Sequence, residues 1–430
     1  MQKPIVVVAG HICIDITPMF PAKAGNVAGS APGSPTLNTI LVPGTLTRVD
    51  GVDIHAGGVV ANTGLAMMLF GSDARLMGKI GKDSFGSMIL DLLREQAAIY
   101  GNPHDAGDGM IVSDKSTTSY SVVIAPPNCD RIFLHDPGAN DDFRFADLNF
   151  ETVRSSRLFH FGYPTLMTSM FRAGGRELID MFRAVDSEGV MTSLDLASVD
   201  EQTEAARADW KSILINLLPY VDFFMPSYEE LARILDRDSL IRLRERSKGK
   251  DITENLSVEE DVAPLAEKAI TMGAKVVLIK CGAKGLYYRT ADDKALRTLT
   301  QKNNSTRDNT VQANTPVQAN TPVQANTPAQ TTTPMHSNTS APAGTLSGWA
   351  NRAGFEKSYV PEKILSGTGA GDTTIAAFLS AMLRGYPFER CIQLACATGA
   401  SCMEAYDALG GLKTFAELEK KIDAHWRKTW

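Results

Sequence analysis

Short apolar runs alternate along the chain with stretches whose apolar residues recur at helical spacing. The runs Ile5–Val8, Leu158–Phe161, Met191–Leu196, Val221–Met225 and Val276–Ile279 are too short for helices and mostly apolar. They predict strands buried on both faces, hence a mostly parallel sheet covered by helices. Helical spacing is clearest near Ala61–Phe70 and at Ile375, Phe378, Leu379, Met382 and Leu383, where Gly385 supplies a stop. Two segments depart from this rhythm. Ile12–Pro18 with Thr45–His55, and Ser119–His135, alternate like exposed strands and predict a small separate sheet, a lid over one edge of the larger one. The expected class is α/β, with lid strands within about 12–56 and 115–136.

From about Ala291 to Ala353 the pattern disappears. Val311-Gln312-Ala313-Asn314-Thr315-Pro316 recurs at 317–322 and 323–328, then degrades through 334. A proline every six residues, with Thr, Asn and Gln and almost no large apolar side chain, cannot offset the entropy of ordering. Three copies are also too few for a β-helix core. Residues 291–353 are therefore expected to be a low-complexity, disordered surface insertion.

The 430 residues allow one large domain or two to three smaller ones. A hydrophobic fraction of 43% and a charged fraction of 21% are those of a soluble globular protein. A net charge of −6 without a long basic run argues against nucleic acid or an anionic membrane as partner. The first apolar run is too short to span a bilayer, so it reads as a buried strand. Of six cysteines, Cys391, Cys396 and Cys402 fall along one predicted helix without metal-ligand spacing. Reduced core thiols and a cytoplasmic location are expected.

Chemistry concentrates in Ser366-Gly367-Thr368-Gly369-Ala370-Gly371-Asp372, which runs straight into a predicted helix. Glycines permit a tight turn with amides facing inward, and a helix N-terminus adds unpaired N–H donors and positive potential for an anion. The Asp372 carboxylate at the lip of the turn has the chemistry to take a proton from an attacking hydroxyl, although it also reads as a helix cap. No Gly-x-x-x-x-Gly-Lys-[Ser/Thr] loop occurs in the chain.

Three other places carry candidate residues. Gly57-Gly58 leads into a helix bearing Asn62, whose amide both donates and accepts, as a polyhydroxyl ligand requires; Asn62 also reads as a helix-start residue. Asp15 follows the first strand in an apolar segment and needs either solvent or hydrogen-bond donors such as sugar hydroxyls. Lys280-Cys281-Gly282-Ala283-Lys284-Gly285 makes a Gly-x-x-Gly turn after a β-branched strand, a place to seat a nucleotide or an ordinary turn.

Taken together, these elements resemble the ribokinase-like (PfkB-type) carbohydrate kinases. Asp15, Gly57-Gly58 with Asn62, the Gly78-x-x-Gly81-x-Asp83-x-x-Gly86 run and Gly369-Ala370-Gly371-Asp372 stand in that family's order. The likeness covers the chain apart from the repeats and a charged insertion near 236–261. It implies one domain over 1–430, a three-layer α/β/α sandwich with a mostly parallel central sheet and a small β-sheet lid. It further implies ATP, Mg²⁺ and transfer of the γ-phosphoryl group to a sugar hydroxyl. Carried over residue by residue, Asp372 is the general base and the Gly369, Ala370 and Gly371 amides the anion hole. Asp15, Gly57, Gly58 and Asn62 contact the substrate, Lys280, Gly282 and Gly285 belong to the nucleotide turn, and Glu230 serves the metal. Two departures stand out: Ser227 occupies the Asn place of the family's Asn-x-x-Glu, and Ser366-Gly367 replaces its Asp-Thr. A nucleoside kinase of the same superfamily and a catalytically silent sugar- or nucleotide-binding regulator are the alternatives. Pairing of two lids into a homodimer would cover the open edges of the small sheet.

Overall fold

The computed structural model describes residues 5–21, 41–125, 132–249, 251–312, 346 and 348–429, with side chains omitted for 304–312. Each predicted apolar run forms a strand. Among the described residues the larger sheet has nine strands, in the order β13 (Ala353–Lys357), β12 (Gly285–Thr290), β11 (Val276–Lys280), β10 (Phe223–Phe224), β9 (Met191–Leu194), β8 (Leu158–Gly162), β1 (Ile5–Gly10), β4 (Asp73–Gly81) and β5 (Met110–Ser113). From β11 to β5 all neighbours are parallel; β11–β12 and β12–β13 are antiparallel.

Helices cover both faces, so alternate residues of one strand serve two cores. Val6 and Val8 pack with Leu65, Phe378 and Leu379 on one side, while Val7 and Ala9 pack with Phe159, Phe161 and Phe182 on the other. The chain runs from β1 to β4 on one side and later places β8 on the other. Strand order therefore reverses at β1, where open α/β sheets leave a crevice beyond their carboxyl ends.

The smaller sheet has the order β3 (Gly51–Gly57), β2 (Cys13–Met19), β6 (Tyr120–Ile124) and β7 (Ile132–Asp136). The strand expected over Thr45–His55 begins only at Gly51, and Ser119–His135 divides into two antiparallel strands. Register aligns His55, Asp15, Ser121 and His135 across one face and Ile54, Ile16, Val122 and Leu134 across the other. The first row faces the larger sheet's crevice.

The expectation of disorder over 291–353 is corrected at both ends. Asp293–Gln312 forms a helix, with Leu296 and Leu299 buried in the core; Trp349 is buried too, and β13 starts at Ala353. Lys302 from this helix pairs with Asp222 at 2.9 Å and Asp186 at 2.5 Å. Composition concealed this, because among the described side chains of the helix only two apolar ones, Leu296 and Leu299, are buried in the core. Residues 313–345, which hold most of the repeats, lie outside the described residues. Cys391, Cys396 and Cys402 lie buried on the Phe388–Cys402 helix. Among the described residues no helix is long and apolar enough to cross a membrane.

Candidate active site

The carboxyl ends of successive parallel strands deliver one polar side chain each. His11 follows β1, Tyr163 follows β8, Asp195 follows β9, and Lys280 ends β11. All four line one cavity of about 1060 Å³, which reaches from Asp15 and Ser121 under the lid, past the Gly367–Asp372 turn, to Gly282 and Gly285.

At its centre lies Asp372, 2% exposed, in the first turn of the Ala370–Leu383 helix. Gly369 caps that helix with φ +73°, a left-handed conformation, and a Cβ there would stand 2.2 Å from the Ala408 Cβ; glycine meets both demands. The Asn62 Nδ2 donates to Asp372 Oδ2 at 2.8 Å, and the Tyr163 hydroxyl lies 2.8 Å from both carboxylate oxygens. Burial pushes the Asp372 carboxyl above the usual aspartate range, Asn62, Lys280 and Tyr163 pull it back, and Asp15 adds to the rise. The Ala370 amide donates to Gly367 O at 3.3 Å and the Thr373 amide to Gly369 O at 2.9 Å. Of the three amides expected to form an anion hole, that of Ala370 is thus already engaged.

Beside the turn, Lys280 Nζ contacts Asp195 Oδ1 at 2.7 Å and lies 3.5 Å from where a Cβ on Gly371 would stand. Burial alone would lower the Lys280 ammonium, but Asp195, Glu230 and Asp372 together hold it above its ordinary value. Burial raises the Glu230 carboxyl, against the pull of Lys280. Glu230 Oε2 also accepts from the Ser227 amide at 2.7 Å, while Ser227 Oγ accepts from the Glu230 amide at 3.3 Å. The serine in the Asn place therefore makes a capping box for the Tyr228–Leu235 helix. Among the described residues no three His, Cys, Asp or Glu side chains form a ready metal cage.

Under the lid, Asp15 is 6% exposed, 3.4 Å from the Cys13 thiol and 3.9 Å from His55 Nε2. Burial raises its carboxyl, partly offset by His55. Gly57 stands opposite, and a Cβ there would lie 2.1 Å from Asp15 Oδ2, so only glycine lets β3 pass so close. Gly58 abuts His11, and Asn62 sits one helical turn later on the Gly58–Leu69 helix. His11 Nε2 lies 3.3 Å from His135 Nε2, and His135 Nδ1 lies 3.1 Å from Ser121 Oγ. Burial, then His135, pushes the His11 ring well below its usual range, and its Nδ1 has no hydrogen-bond partner among the described residues.

At the other end, Gly282–Lys284 makes one 3₁₀ turn and the Cys281 amide closes it on Gly285 O at 2.8 Å. Gly282, Ala283, Asp251 and Ser358 face the cavity there.

Every residue given a catalytic, substrate, nucleotide or metal role from sequence, except Gly57, thus lines this one cavity, and Gly57 stands against Asp15; the Gly78–Gly86 run does not line it. Lys280 is placed at the centre beside Gly371 rather than at the nucleotide turn itself. Asp195, His11, Ser121 and the hydroxyl of Tyr163 were missed as functional groups. A signal existed: each of the first two stands where an apolar strand ends, the position from which open α/β sheets recruit ligand contacts.

A model of the pfkB family of carbohydrate kinases matches residues 34–310 and 339–414, well over half of the chain. Fructokinase-2 of Oryza sativa subsp. japonica is 26% identical over 243 residues, which is 55% of this chain and 62% of the rice protein. The match thus spans less than two thirds of that relative. Among solved structures, a putative ribokinase II from E. coli in complex with ATP and Mg²⁺ superposes with a TM-score of 0.61 at 18% identity, covering 99% of this chain and 100% of that one. A Burkholderia thailandensis nucleoside kinase in complex with inosine gives 0.56 at 13% identity, covering 97% and 98%. With sheet order, lid and glycine turn in agreement with the family match, this chain belongs to the pfkB family of carbohydrate kinases.

Proposed function

We propose that the chain transfers the γ-phosphoryl group of ATP to a sugar hydroxyl, with Asp372 as general base. One observation carries this reading: a buried carboxylate at a helix N-terminus, on the wall of a cavity of about 1060 Å³ that runs from Asp15 to Gly282 and Gly285. The rice relative's name, fructokinase, and the ATP and Mg²⁺ bound in the E. coli structure point the same way.

Asp15 and Asn62 orient the acceptor so that one hydroxyl faces Asp372. An aspartate is a weak base, so the proton passes late, as the alcohol oxygen bonds to phosphorus and becomes acidic. The elevated proton affinity of the buried Asp372 strengthens it for that task. The Gly369 and Gly371 amides, with Ala370 joining if its bond to Gly367 lengthens, form the anion hole for the phosphoryl oxygens, and Lys280 adds a fixed positive charge beside them. Gly282 and Gly285 border the nucleotide.

Mg²⁺ fits the donor set. Asp195 and Asp372, both buried, and the half-buried Glu230 are three carboxylates facing a cavity in which Lys280 is the one lysine or arginine among the described lining residues. Magnesium commonly binds through one or two carboxylates plus substrate phosphates and waters, so a complete protein cage is not required. Glu230 would hold it, and it would neutralise charge on the phosphate oxygens.

The test is ATP consumption with product analysis across sugars and nucleosides, for wild type and Asp372→Asn. Sugar phosphate is expected from the wild type, and the variant should lose about 10²–10⁴ in kcat. Turnover near wild type in a folded variant removes Asp372 from the base role, and nucleoside monophosphate as the sole product reassigns the acceptor. We further propose that two copies pair through the lid and that the protein works in the cytoplasm, where its described cysteines, all buried, stay reduced.

A further inference from the structure

Tyr163 is unusual on two independent counts. Its φ of +63° puts a bulky residue in the left-handed region, immediately after β8 at the reversal of strand order. Its hydroxyl is also equidistant, at 2.8 Å, from both oxygens of Asp372. Strained backbone held at a site by its surroundings is a pointer to a role there. The Pro164–Leu166 turn and the Thr165 Oγ1 bond to Ala197 O at 2.8 Å fix the residues that follow. The ring therefore stands over the carboxylate because the backbone is bent to put it there.

A carboxylate accepts at about four lone-pair sites. Asn62 takes one on Oδ2, and the Tyr163 hydroxyl straddles the edge between Oδ1 and Oδ2. An acceptor alcohol must present its O–H to that same carboxylate. A water molecule that reached it would do so too, and water is smaller.

We propose that the Tyr163 hydroxyl holds the place of the acceptor hydroxyl on Asp372 and so keeps water from using the base until a sugar displaces it. This rests on the reading of Asp372 as general base. Without such a guard, water attacks the γ-phosphorus, its proton passes to Asp372, and the bond from phosphorus to the β–γ bridging oxygen breaks. ADP and inorganic phosphate result, with no sugar phosphate formed. Tyr163 donates to the carboxylate and does not itself take the phosphoryl group. It is a positioning residue that acts through Asp372. The acceptor pays for entry only one hydrogen bond exchanged for another, so the guard discriminates by size and multivalency. A sugar anchored at Asp15 and Asn62 displaces it, whereas a lone water has no second anchor.

The experiment measures ADP release from MgATP without acceptor, and ADP against sugar phosphate with D-fructose or D-ribose as probes. Tyr163→Phe keeps the ring and removes the hydroxyl. Its acceptor-free hydrolysis should rise about tenfold or more, the scale of one hydrogen bond to a charged group. Placing Tyr163→Phe in an Asp372→Asn background should abolish the rise, because the exposed base is gone. Thermal unfolding of each variant reports folding separately, and Tyr163→Trp, which fills the space without a hydroxyl at that point, should raise hydrolysis less than Tyr163→Phe. Unchanged or lower hydrolysis in folded Tyr163→Phe overturns the proposal, as does a rise that persists without Asp372. If the wild type phosphorylates no sugar or nucleoside, the kinase reading fails instead, a result independent of the hydrolysis comparison.

Discussion

Asp372 depends on side chains from three other elements, and that dependence sets its response to pH. Burial raises its proton affinity while the Asn62 amide opposes the rise. The base works deprotonated, so kcat/KM should fall on acidification at a pH above the ordinary aspartate value of about 3.9. Asn62→Ala removes a donor to the charged form and should move this acid limb higher still; a pH–rate profile that stays put or moves down contradicts the assignment. His160 makes a second prediction, about stability. It is fully buried in β8, its Nδ1 2.9 Å from Ser193 Oγ, and burial, then Lys280, pushes the ring down to about 3 from 6.5. Between those values the unfolded chain binds a proton that the native state refuses, so stability falls as pH drops from 6.5, by at most about 1.4 kcal/mol per pH unit. His160→Gln should flatten the pH dependence of urea unfolding over that window, whatever it costs at neutral pH. Asp15, Asn62 and Asp372 were legible in sequence because glycines mark the backbone around each. Tyr163 follows a glycine too, Gly162, but its meaning comes from Asp372, 209 residues on, and that of Asp195 from Lys280, 85 residues on, so neither could be read locally.

At the scale of elements, the helix Asp293–Gln312 shows how composition misleads. Its Thr, Asn and Gln content matches the repeats that follow, yet Leu296 and Leu299 at a spacing of three already trace a helical stripe. Lys302 closes it onto Asp222, itself fully buried and also paired with Lys275. The anchor therefore lies in residues 296–303, upstream of the repeats. Leu299→Ala, which empties a fully buried site, should cost about 2–5 kcal/mol in urea unfolding. Deleting residues 311–334 should leave both the melting temperature and kcat near wild type, because Leu299 and Trp349 hold the flanks independently. A large loss in the deletion variant with the flanks intact would assign the repeats a structural or catalytic role. The strands were legible for the opposite reason. A parallel strand buried on both faces needs an unbroken apolar run, and few other elements produce one of that length.

The whole molecule is organised around the strand reversal at β1, which brings the lid, the Ala370–Leu383 helix and the Gly282–Gly285 turn onto one cavity. Sequence order alone foretold that these parts occur; it could not tell that Lys280 would reach from the end of β11 to the central turn, since that follows from sheet order. The lid carries the last consequence. Its polar row faces the cavity, while Ile54, Ile16, Val122 and Leu134 line the opposite face, with Val52 and Leu134 51% and 54% exposed. Among the described residues β3 and β7 are the outer strands of this sheet, so the same element presents an apolar face and two outer strands. A second lid laid face to face would bury both rows of apolar side chains. Light scattering at micromolar protein should therefore give twice the chain mass. Val52→Lys with Leu134→Lys should halve it without unfolding the body, because neither side chain enters either core cluster. Since the two substituted positions sit behind the row that holds Asp15, a monomeric variant should also show a raised KM for the acceptor while KM for ATP is unchanged. A wild type that is monomeric under these conditions, or a double variant that stays dimeric, would show that the lid face has no such partner.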